Sequence, residues 1–294
     1  MNVQKWLENN TASLTGKLVA ITGSTGGLGQ EICRFLLDLN ASLILLDRNA
    51  ERSGALRERL LEEFQGASVR CINVDLENID SVRSAVSQLL NTPLDIFIHN
   101  AGAYSIPRHK SSTGFDNVFQ INFVSPYYII NELLPLLNER SGRVVVVGSI
   151  AHNYSKTDAK DIDFSKREQA SKVYGNAKRY LMFSLYPLSK KAPNVSFSVT
   201  HPGISFTNIT AHYPKLIFAI IKHPMKIIFM KPRIACLSVI RGVFEDCKEA
   251  EWIGPRFFDI WGLPQKKLLK TASSDEREFI VQTAEKIYHS IKEN

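Results

Sequence analysis

The amino-acid sequence predicts an α/β fold in which a doubly wound parallel sheet has helices on both faces. Short runs rich in Val, Ile and Leu alternate with longer segments of helical period, as they do in parallel sheets with crossover helices. A glycine-rich turn separates the first of these runs from the helical segment that follows it. The 294 residues are 44% apolar and 22% charged, which suits one folded domain with a sizeable core.

About seven strands are expected from the short apolar runs, which carry turn or cap residues at their ends. Runs that are apolar throughout are typical of strands that helices cover on both sides. The predicted strands are Leu18–Thr22, Leu43–Asp47, Val69–Asp75, Asp95–Asn100, Val144–Ser149, Val195–His201 and Phe257–Trp261.

Helices are expected between these strands, and the short connections favour the Rossmann fold. We expect one domain, with a Rossmann core at about 16–262 and a helical extension at about 264–294. Two segments do not follow the alternation: Thr207–Pro232 is apolar and basic, and Lys266–Asn294 reads as polar terminal helix. The predicted helices are Leu28–Asn40, Asn49–Gln65, Ile79–Asn91, Gly114–Glu139 and Ala170–Lys191.

The basic excess of the chain is concentrated in one stretch. Lys and Arg number 36 against 29 Asp and Glu, which gives a net charge of +7, and no acidic residue lies between Glu168 and Glu245. An acidic ligand, an anionic membrane surface or simple solubility would each account for this stretch. A nucleic-acid partner is not expected, because no nucleic-acid motif accompanies the charge.

The cysteines and the N-terminus argue against several classes of protein. The four cysteines have neither paired spacing nor nearby histidines, so we expect no metal site and no disulfide framework. Met1–Ser13 does not form a signal or transit peptide, and no apolar run is long enough to span a bilayer. The chain is therefore expected to be cytoplasmic.

The turn after the first strand has the spacing of a phosphate-binding loop. Gly23 permits a sharp turn out of the strand, Gly27 lets the backbone approach a pyrophosphate, and Gly29 lets the helix pack closely. The free N–H groups at the start of the helix favour the phosphates. The predicted dinucleotide contacts in this turn are Gly23, Ser24, Thr25, Gly27, Leu28 and Gly29.

The end of the second strand bears on the choice between NAD and NADP. A carboxylate at Asp47 can accept hydrogen bonds from the adenosine ribose hydroxyls, and it would repel a 2′-phosphate. Arg48 follows directly and could pair with that phosphate. The choice between NAD and NADP therefore stays open, and Asp47 favours NAD. The alternative role for Asp47 is to cap the next helix.

These motifs and the ones that follow occur in the same order as in the short-chain dehydrogenase/reductase family, which the chain resembles from about Gly16 to Gly262. The family's NNAG element appears as His99-Asn100-Ala101-Gly102, which departs from the pattern at His99. An acidic position near the adenine matches Asp75, and a PG motif matches Pro202-Gly203. The further cofactor contacts that the resemblance implies are Asp75, Leu76, Asn100, Ala101, Gly102, Tyr174, Lys178, Pro202, Gly203 and Thr207.

The resemblance also implies a catalytic set of Asn122, Ser149, Tyr174 and Lys178, acting in hydride transfer between an alcohol and a carbonyl. Tyr174 and Lys178 are four positions apart and so share one face of a helix. A nearby ammonium and the positive nicotinamide would favour the phenolate, so Tyr174 is the expected general acid/base. By the same resemblance, Ser149 binds the substrate oxygen. Lys178 also holds the nicotinamide ribose, and Asn122 holds a water that links Lys178 to solvent.

Two features bear on the substrate. The long interval between Ser149 and Tyr174 contains Asp161–Phe164 and resembles the retinol-dehydrogenase-like branch, which implies a lipophilic alcohol or carbonyl. Within the expected substrate lid, at about 204–235, residues 215–231 combine apolar side chains with periodic lysines. This pattern fits a lid over an apolar substrate, peripheral contact with an anionic membrane, an oligomer contact or a pair of core helices.

Two other classes of function stay open. One is a non-catalytic, dinucleotide-binding regulator of the same fold, and the other is a membrane-surface protein. Family analogy also implies a homodimer or homotetramer through the faces of helices four and five.

Overall fold

The strands form one sheet between two layers of helices. The computed structural model describes residues 3–203, 230–269 and 271–293. The strands are β1 Leu18–Thr22, β2 Ser42–Asp47, β3 Val69–Asn73, β4 Ile96–His99, β5 Arg143–Val147, β6 Ser196–Thr200, β7 Glu251–Phe257 and β8 Trp261–Leu268. Their order across the sheet is β3-β2-β1-β4-β5-β6-β7-β8, and only β7 and β8 pair antiparallel. This confirms the doubly wound α/β fold.

Some of the helices begin at polar residues that accept hydrogen bonds from the first turn. Asn49 caps α3 by accepting from the N–H of Arg52 at 2.8 Å, and Asn78 caps α4 in the same way. A capping role for Asp47 is therefore wrong. The helices are α1 Val3–Asn10, α2 Gly27–Asp38, α3 Ala50–Glu63, α4 Ile79–Leu90, α5 Asn117–Phe119, α6 Ser125–Glu139, α7 Ala170–Ser184, α8 Pro232–Ala235, α9 Leu237–Phe244 and α10 Ser274–Glu293.

Alternate residues of each strand enter two separate apolar cores. Ala20 and Phe97 face the layer of α4, α6, α7 and α10, whereas Ile21 and Ile98 face the layer of α2, α3 and α9. Because side chains alternate along a strand, His99 lies on the same face as Phe97. The end of β4 therefore carries a polar side chain into the layer that contains α6 and α7.

The last strand was predicted at the wrong place. Phe257–Trp261 forms the turn between β7 and β8, so the sheet has eight strands where about seven were expected. Gly254 and Pro255 are poor strand formers, so β7 could not be recognised in the sequence. The strand tolerates both residues because it pairs with β6 only at Thr200 and Ile253. The terminal helix begins at Ser274, since β8 occupies the first part of the expected helical extension.

The long helix predicted at Gly114–Glu139 is interrupted. A π-helical turn at Gln120–Val124 separates the single turn α5 from α6. π-Turns insert one residue into the helical repeat and often mark functional sites. Asn122 lies inside this turn, so its side chain has a direction that a regular helix would not give it.

The final helix, α10, packs against α6 and α7. Ile280, Ala284 and Ile287 of α10 are buried in the same core as these two helices. The hydroxyl of Tyr127 on α6 donates to the carboxylate of Glu285 at 2.6 Å. Helix α10 therefore belongs to the domain and covers part of the surface formed by α6 and α7.

A buried arginine on α7 fixes the start of α10. The Arg179 side chain is 1% exposed and donates to both oxygens of Glu276, at 2.7 Å and 2.6 Å. The same guanidinium donates to the carbonyl of His152 at 3.0 Å. Glu276 also accepts from the backbone N–H of Thr157 at 2.9 Å. One ion pair thus connects α7, α10 and the segment after β5.

Part of the chain lies outside the described ranges. It includes Thr207 and residues 204–229, so the lid and most of the basic apolar segment at 215–231 remain predictions from the sequence. Within the described ranges, no helix is long and apolar enough to cross a bilayer.

We expect Arg179→Ala to lower the free energy of unfolding by about 3–5 kcal/mol, because it leaves the carboxylate of Glu276 largely buried without its cation. Urea unfolding followed by circular dichroism measures this loss. Arg277→Ala is the control on the same helix. Its ion pair with the 71%-exposed Glu249 should contribute less than about 1 kcal/mol. Equal losses in the two variants would contradict the assigned role of Arg179.

Candidate active site

The glycine-rich turn after β1 has the shape of a phosphate cradle. Gly23 has a φ of +69°, and a Cβ at Gly29 would lie 2.2 Å from the carbonyl oxygen of Gly23. Both positions therefore require glycine. A Cβ at Gly27 would meet no protein atom within 4 Å, so this residue faces open space at the start of α2. The N-cap residue, Gly26, supplies no side-chain cap, and the first N–H groups of α2 suit a pyrophosphate.

Polar contacts between the ends of β1 and β4 hold this cradle. The Nδ2 of Asn100 donates to the carbonyls of Thr22 and Gly23, at 3.2 Å and 2.9 Å. The hydroxyl oxygen of Thr22 accepts from the backbone N–H groups of Asn100 and Ala101, both at 3.1 Å. A Cβ at Gly23 would lie 2.8 Å from the Cα of Ala101. Asn100 and Ala101 therefore shape the cradle from behind.

The carboxylate of Asp47 points into the phosphate loop. It is buried and accepts from the Ser24 hydroxyl, and from the N–H and hydroxyl of Thr25 at 3.1 Å and 3.0 Å. Ser24 and Thr25 thus bind Asp47, whereas Arg48 is exposed at the end of β2. Leu28 is buried in the first turn of α2.

The remaining expected cofactor positions lie at the ends of β3 and β6. Asp75 is half-buried, and its carboxylate accepts from the N–H of Glu77 at 3.0 Å. Leu76 is buried beside it. Gly203 follows Pro202 with a φ of +78° and closely approaches the carbonyl of Ile260.

Tyr174 and Lys178 lie on one face of α7, as expected. The ammonium nitrogen of Lys178 is 5.7 Å from the ring centroid of Tyr174. It donates to the carbonyl of Val147 at 2.9 Å, and the side chain is 1% exposed. Burial lowers the pKa of Lys178 to about 7. The lysine is therefore held between α7 and the end of β5.

Ser149 and Tyr174 are brought together. Ser149 begins the short helical turn Ile150–Tyr154, and its hydroxyl lies near enough to the Tyr174 phenol to lower the pKa of that phenol. Burial is the larger effect and raises the pKa of Tyr174 to about 12. A phenol with that pKa is protonated at neutral pH.

Asn122 joins the same cluster through the π-helical turn. Its Nδ2 donates to the carbonyls of Ala103 and Val118, both at 2.8 Å, and its Oδ1 accepts from the N–H of Ala103 at 3.3 Å. A Cβ at Gly102 would lie 2.9 Å from Oδ1 of Asn122 and 3.6 Å from Nζ of Lys178. Asn122 and Lys178 therefore converge on Gly102.

Several supporting residues were missed from the sequence. The ring of Tyr104 contacts Tyr174 edge-on, with centroids 5.4 Å apart. Phe164 packs with Val118 and Val173 in a small apolar cluster that also contacts Tyr174. Phe164 has a φ of +55°. Tyr104 could have been recognised as a candidate site residue from the sequence, because it is an aromatic residue that closely follows Gly102. Phe164 gave no local signal, because its contacts are distant in sequence.

The comparisons with known proteins identify the family of this chain. The short chain dehydrogenase family model matches residues 17–160. The chloroplastic short-chain dehydrogenase TIC 32 A of Brassica napus is 32% identical over 222 residues, which cover 70% of this chain and 69% of that protein. The chain belongs to the short-chain dehydrogenase family. Retinol dehydrogenase 14 of Mus musculus is 30% identical over 273 residues, covering 83% of this chain and 81% of that protein.

Solved structures share the fold. An uncharacterized protein from Mycobacterium paratuberculosis superimposes with a TM-score of 0.74, at 22% identity and 96% coverage of both chains. A short-chain dehydrogenase from Sphingobium yanoikuyae in complex with NADPH has a TM-score of 0.60 at 19% identity, covering 77% of this chain and 83% of that one. Membership of the family makes this chain a nicotinamide-dependent oxidoreductase.

We expect Gly29→Ala to weaken NADPH binding at least about tenfold, because the added methyl displaces the loop backbone from the pyrophosphate. It should also lower the free energy of unfolding by about 1–3 kcal/mol through overpacking. Fluorescence titration and urea unfolding measure the two effects. Gly54→Ala, with no atom within 4 Å of the new Cβ on α3, should instead stabilise the fold by about 0.5–1 kcal/mol. Unchanged NADPH binding in Gly29→Ala would count against the cradle.

Proposed function

We propose that this oxidoreductase interconverts a lipophilic alcohol and its carbonyl, with Tyr174 as general acid/base. The observation that carries the proposal is the approach of the Ser149 hydroxyl to the Tyr174 phenol, beside the buried amine of Lys178. The phosphate cradle at Gly27 opens at the same edge of the sheet, where the parallel strands end. Together these residues can hold a substrate oxygen near a bound dinucleotide.

In the direction of reduction, the bound nicotinamide cofactor supplies the hydride. The phenol of Tyr174 donates its proton to the substrate oxygen as negative charge develops there. The hydroxyl of Ser149 donates a hydrogen bond to the same oxygen. Because its pKa is raised to about 12, the unliganded Tyr174 is ready to act as an acid. Oxidation requires the phenolate, which a protonated Lys178 would favour.

The apolar surroundings of Tyr174 support a lipophilic substrate. Val118, Phe164 and Val173 are buried together, and Ile106 and Tyr174 pack against them. Among the curated relatives are proteins named retinol dehydrogenase 14 and polyprenol dehydrogenase. An aldehyde or alcohol on a long apolar chain would fit these surroundings.

We expect Tyr174→Phe to lower kcat/KM for decanal or all-trans-retinal by roughly 10²–10⁴-fold, because the proton donor is lost. NADPH binding should be retained. The assay follows NADPH oxidation with decanal, retinal and the polar glyceraldehyde, and the two apolar carbonyls should be preferred. Tyr154→Phe, in the 55%-exposed Tyr154, is the matched control and should behave as the wild type. Equal activity of Tyr174→Phe and wild type would instead favour a non-catalytic regulator.

For the cofactor, we propose NADP(H) in place of the NAD that Asp47 favoured in the sequence. The hydrogen bonds from Ser24 and Thr25 occupy the carboxylate of Asp47 and turn it away from solvent. Arg48 is exposed at the end of β2, where the adenosine ribose of a bound dinucleotide would lie. A guanidinium there suits a 2′-phosphate.

We expect Arg48→Ala to raise the Kd for NADPH by roughly 10–100-fold, because a charge-assisted hydrogen bond is worth about 1.5–3 kcal/mol. The Kd for NADH should stay the same. Fluorescence titration with both nucleotides measures the difference. Arg59→Ala, which removes another exposed arginine from α3, should change neither constant. A wild-type protein that prefers NADH, with no effect of Arg48→Ala, would restore the NAD assignment.

The cytoplasmic location, the peripheral membrane contact through 215–231 and the homodimer or homotetramer stay predictions. The partial cover of α6 and α7 by α10 leaves less of these helices for a second subunit. This arrangement supports a monomer over a dimer through that surface.

A further inference from the structure

His99 occupies a position that the active-site assignments leave unused. It is the last residue of β4 and fully buried, and it lies on the face of the sheet that α6 and α7 cover. In the sheet register it pairs with Val146, and Lys178 donates to the carbonyl of the next residue, Val147. The register thus places His99 beside the strand end that binds Lys178, and the charge of Lys178 acts on the His99 ring.

The hydrogen bonds around Thr22 determine which nitrogen of His99 carries the proton. The hydroxyl oxygen of Thr22 accepts from the N–H groups of Asn100 and Ala101, which uses both of its lone pairs. Its own hydrogen is left for Nδ1 of His99, 3.0 Å away. Nδ1 is therefore the acceptor, and Nε2 of the neutral ring carries the hydrogen. Burial and the charge of Lys178 hold the pKa of His99 well below its usual range.

The Nε2–H group of His99 is buried, and no described residue accepts its hydrogen bond. Because an unsatisfied buried donor destabilises the folded state, such groups commonly bind internal water. The side-chain amide of Asn122 already donates both of its hydrogens to Ala103 and Val118. Asn122 could therefore hold a water only by accepting a hydrogen bond from it, whereas His99 can donate one to that water.

We propose that His99 is a positioning residue for proton supply: its Nε2–H holds the water through which Lys178 exchanges protons with solvent. This inference rests on the proposed acid/base role of Tyr174. After Tyr174 gives its proton to the substrate oxygen, the phenolate regains a proton through Lys178. Lys178 regains its own from the water, and the water takes one from solvent. His99 keeps its proton and stays neutral throughout.

Two substitutions test the roles of the two ring nitrogens of His99 separately. In His99→Asn, the amide oxygen can take the place of Nδ1 and keep the bond to Thr22, but nothing replaces Nε2. In His99→Gln, the amide nitrogen reaches the place of Nε2 and keeps a donor there, but the bond to Thr22 is lost. A merely structural histidine and a water-positioning histidine therefore predict opposite rankings of the two variants.

We expect His99→Asn to lower kcat for decanal reduction about tenfold, with the KM for decanal, the Kd for NADPH and the Tm unchanged. The loss should grow from pH 6 to pH 9 as protons become scarce, and the solvent deuterium isotope effect on kcat should increase. His99→Gln should keep a kcat near the wild type and lose Tm instead. Wild-type kcat and pH profile in His99→Asn, or an equal loss of kcat in His99→Gln, would overturn the proposal.

A second measurement detects the hydrogen bond from Nε2–H of His99 to water without any turnover of substrate. In ¹⁵N-histidine-labelled wild-type protein, NMR should show His99 as the neutral Nε2–H tautomer from pH 6 to pH 9, with a cross-peak from that hydrogen to water. The Nδ1–H tautomer, a cationic ring or the lack of a water cross-peak would each reject the inference.

The failure of this inference can be told from the failure of the proposed function. If Tyr174→Phe retains full activity, the acid/base assignment is wrong and the role of His99 falls with it. If Tyr174→Phe is inactive while His99→Asn behaves as the wild type at every pH, only the role of His99 is rejected.

Discussion

The hydrogen bonds between the ends of β1 and β4 are the constraint on which the active site depends. Asn100 holds the backbone at Thr22 and Gly23, and the Thr22 hydroxyl holds the backbone that follows His99. This arrangement fixes the phosphate loop on one side. On the other it places Gly102 where Asn122 and Lys178 converge. Cofactor cradle and proton-transfer groups are therefore set by one polar junction between two parallel strands.

Most of the sheet and the placement of Tyr174 and Lys178 on one face of α7 could be predicted from the sequence, because apolar runs and motif spacing are local signals. β7 could not, since Gly254 and Pro255 contradict strand propensity. They are tolerated because β7 pairs with β6 only at Thr200 and Ile253. The π-turn at Gln120–Val124 escaped because one inserted residue barely disturbs helical periodicity. The direction of the Asp47 carboxylate and the contact of Tyr104 with Tyr174 depend on tertiary packing, which has no local signature.

The two central titrating groups are shifted in the directions that burial dictates. Burial disfavours charge on each, so the pKa of Lys178 falls to about 7 and that of Tyr174 rises to about 12. Lys178 is therefore only partly charged near neutral pH, and an arriving charge is poorly screened in this buried site. The carbonyl of Val147 accepts from the amine of Lys178 and holds it beside Tyr174.

The ion pair between Arg179 and Glu276 links the order of synthesis to the readiness of the site. Glu276 is made after every strand of the sheet, yet it holds the guanidinium that binds the carbonyl of His152, three residues beyond Ser149. A ribosome-bound chain can assemble its nucleotide cradle before α10 is made, because β1 to β4 all emerge earlier. The turn after Ser149 gains this support only when α10 docks. Maturation of this enzyme therefore finishes with the helix that lies farthest along the chain from the phosphate loop.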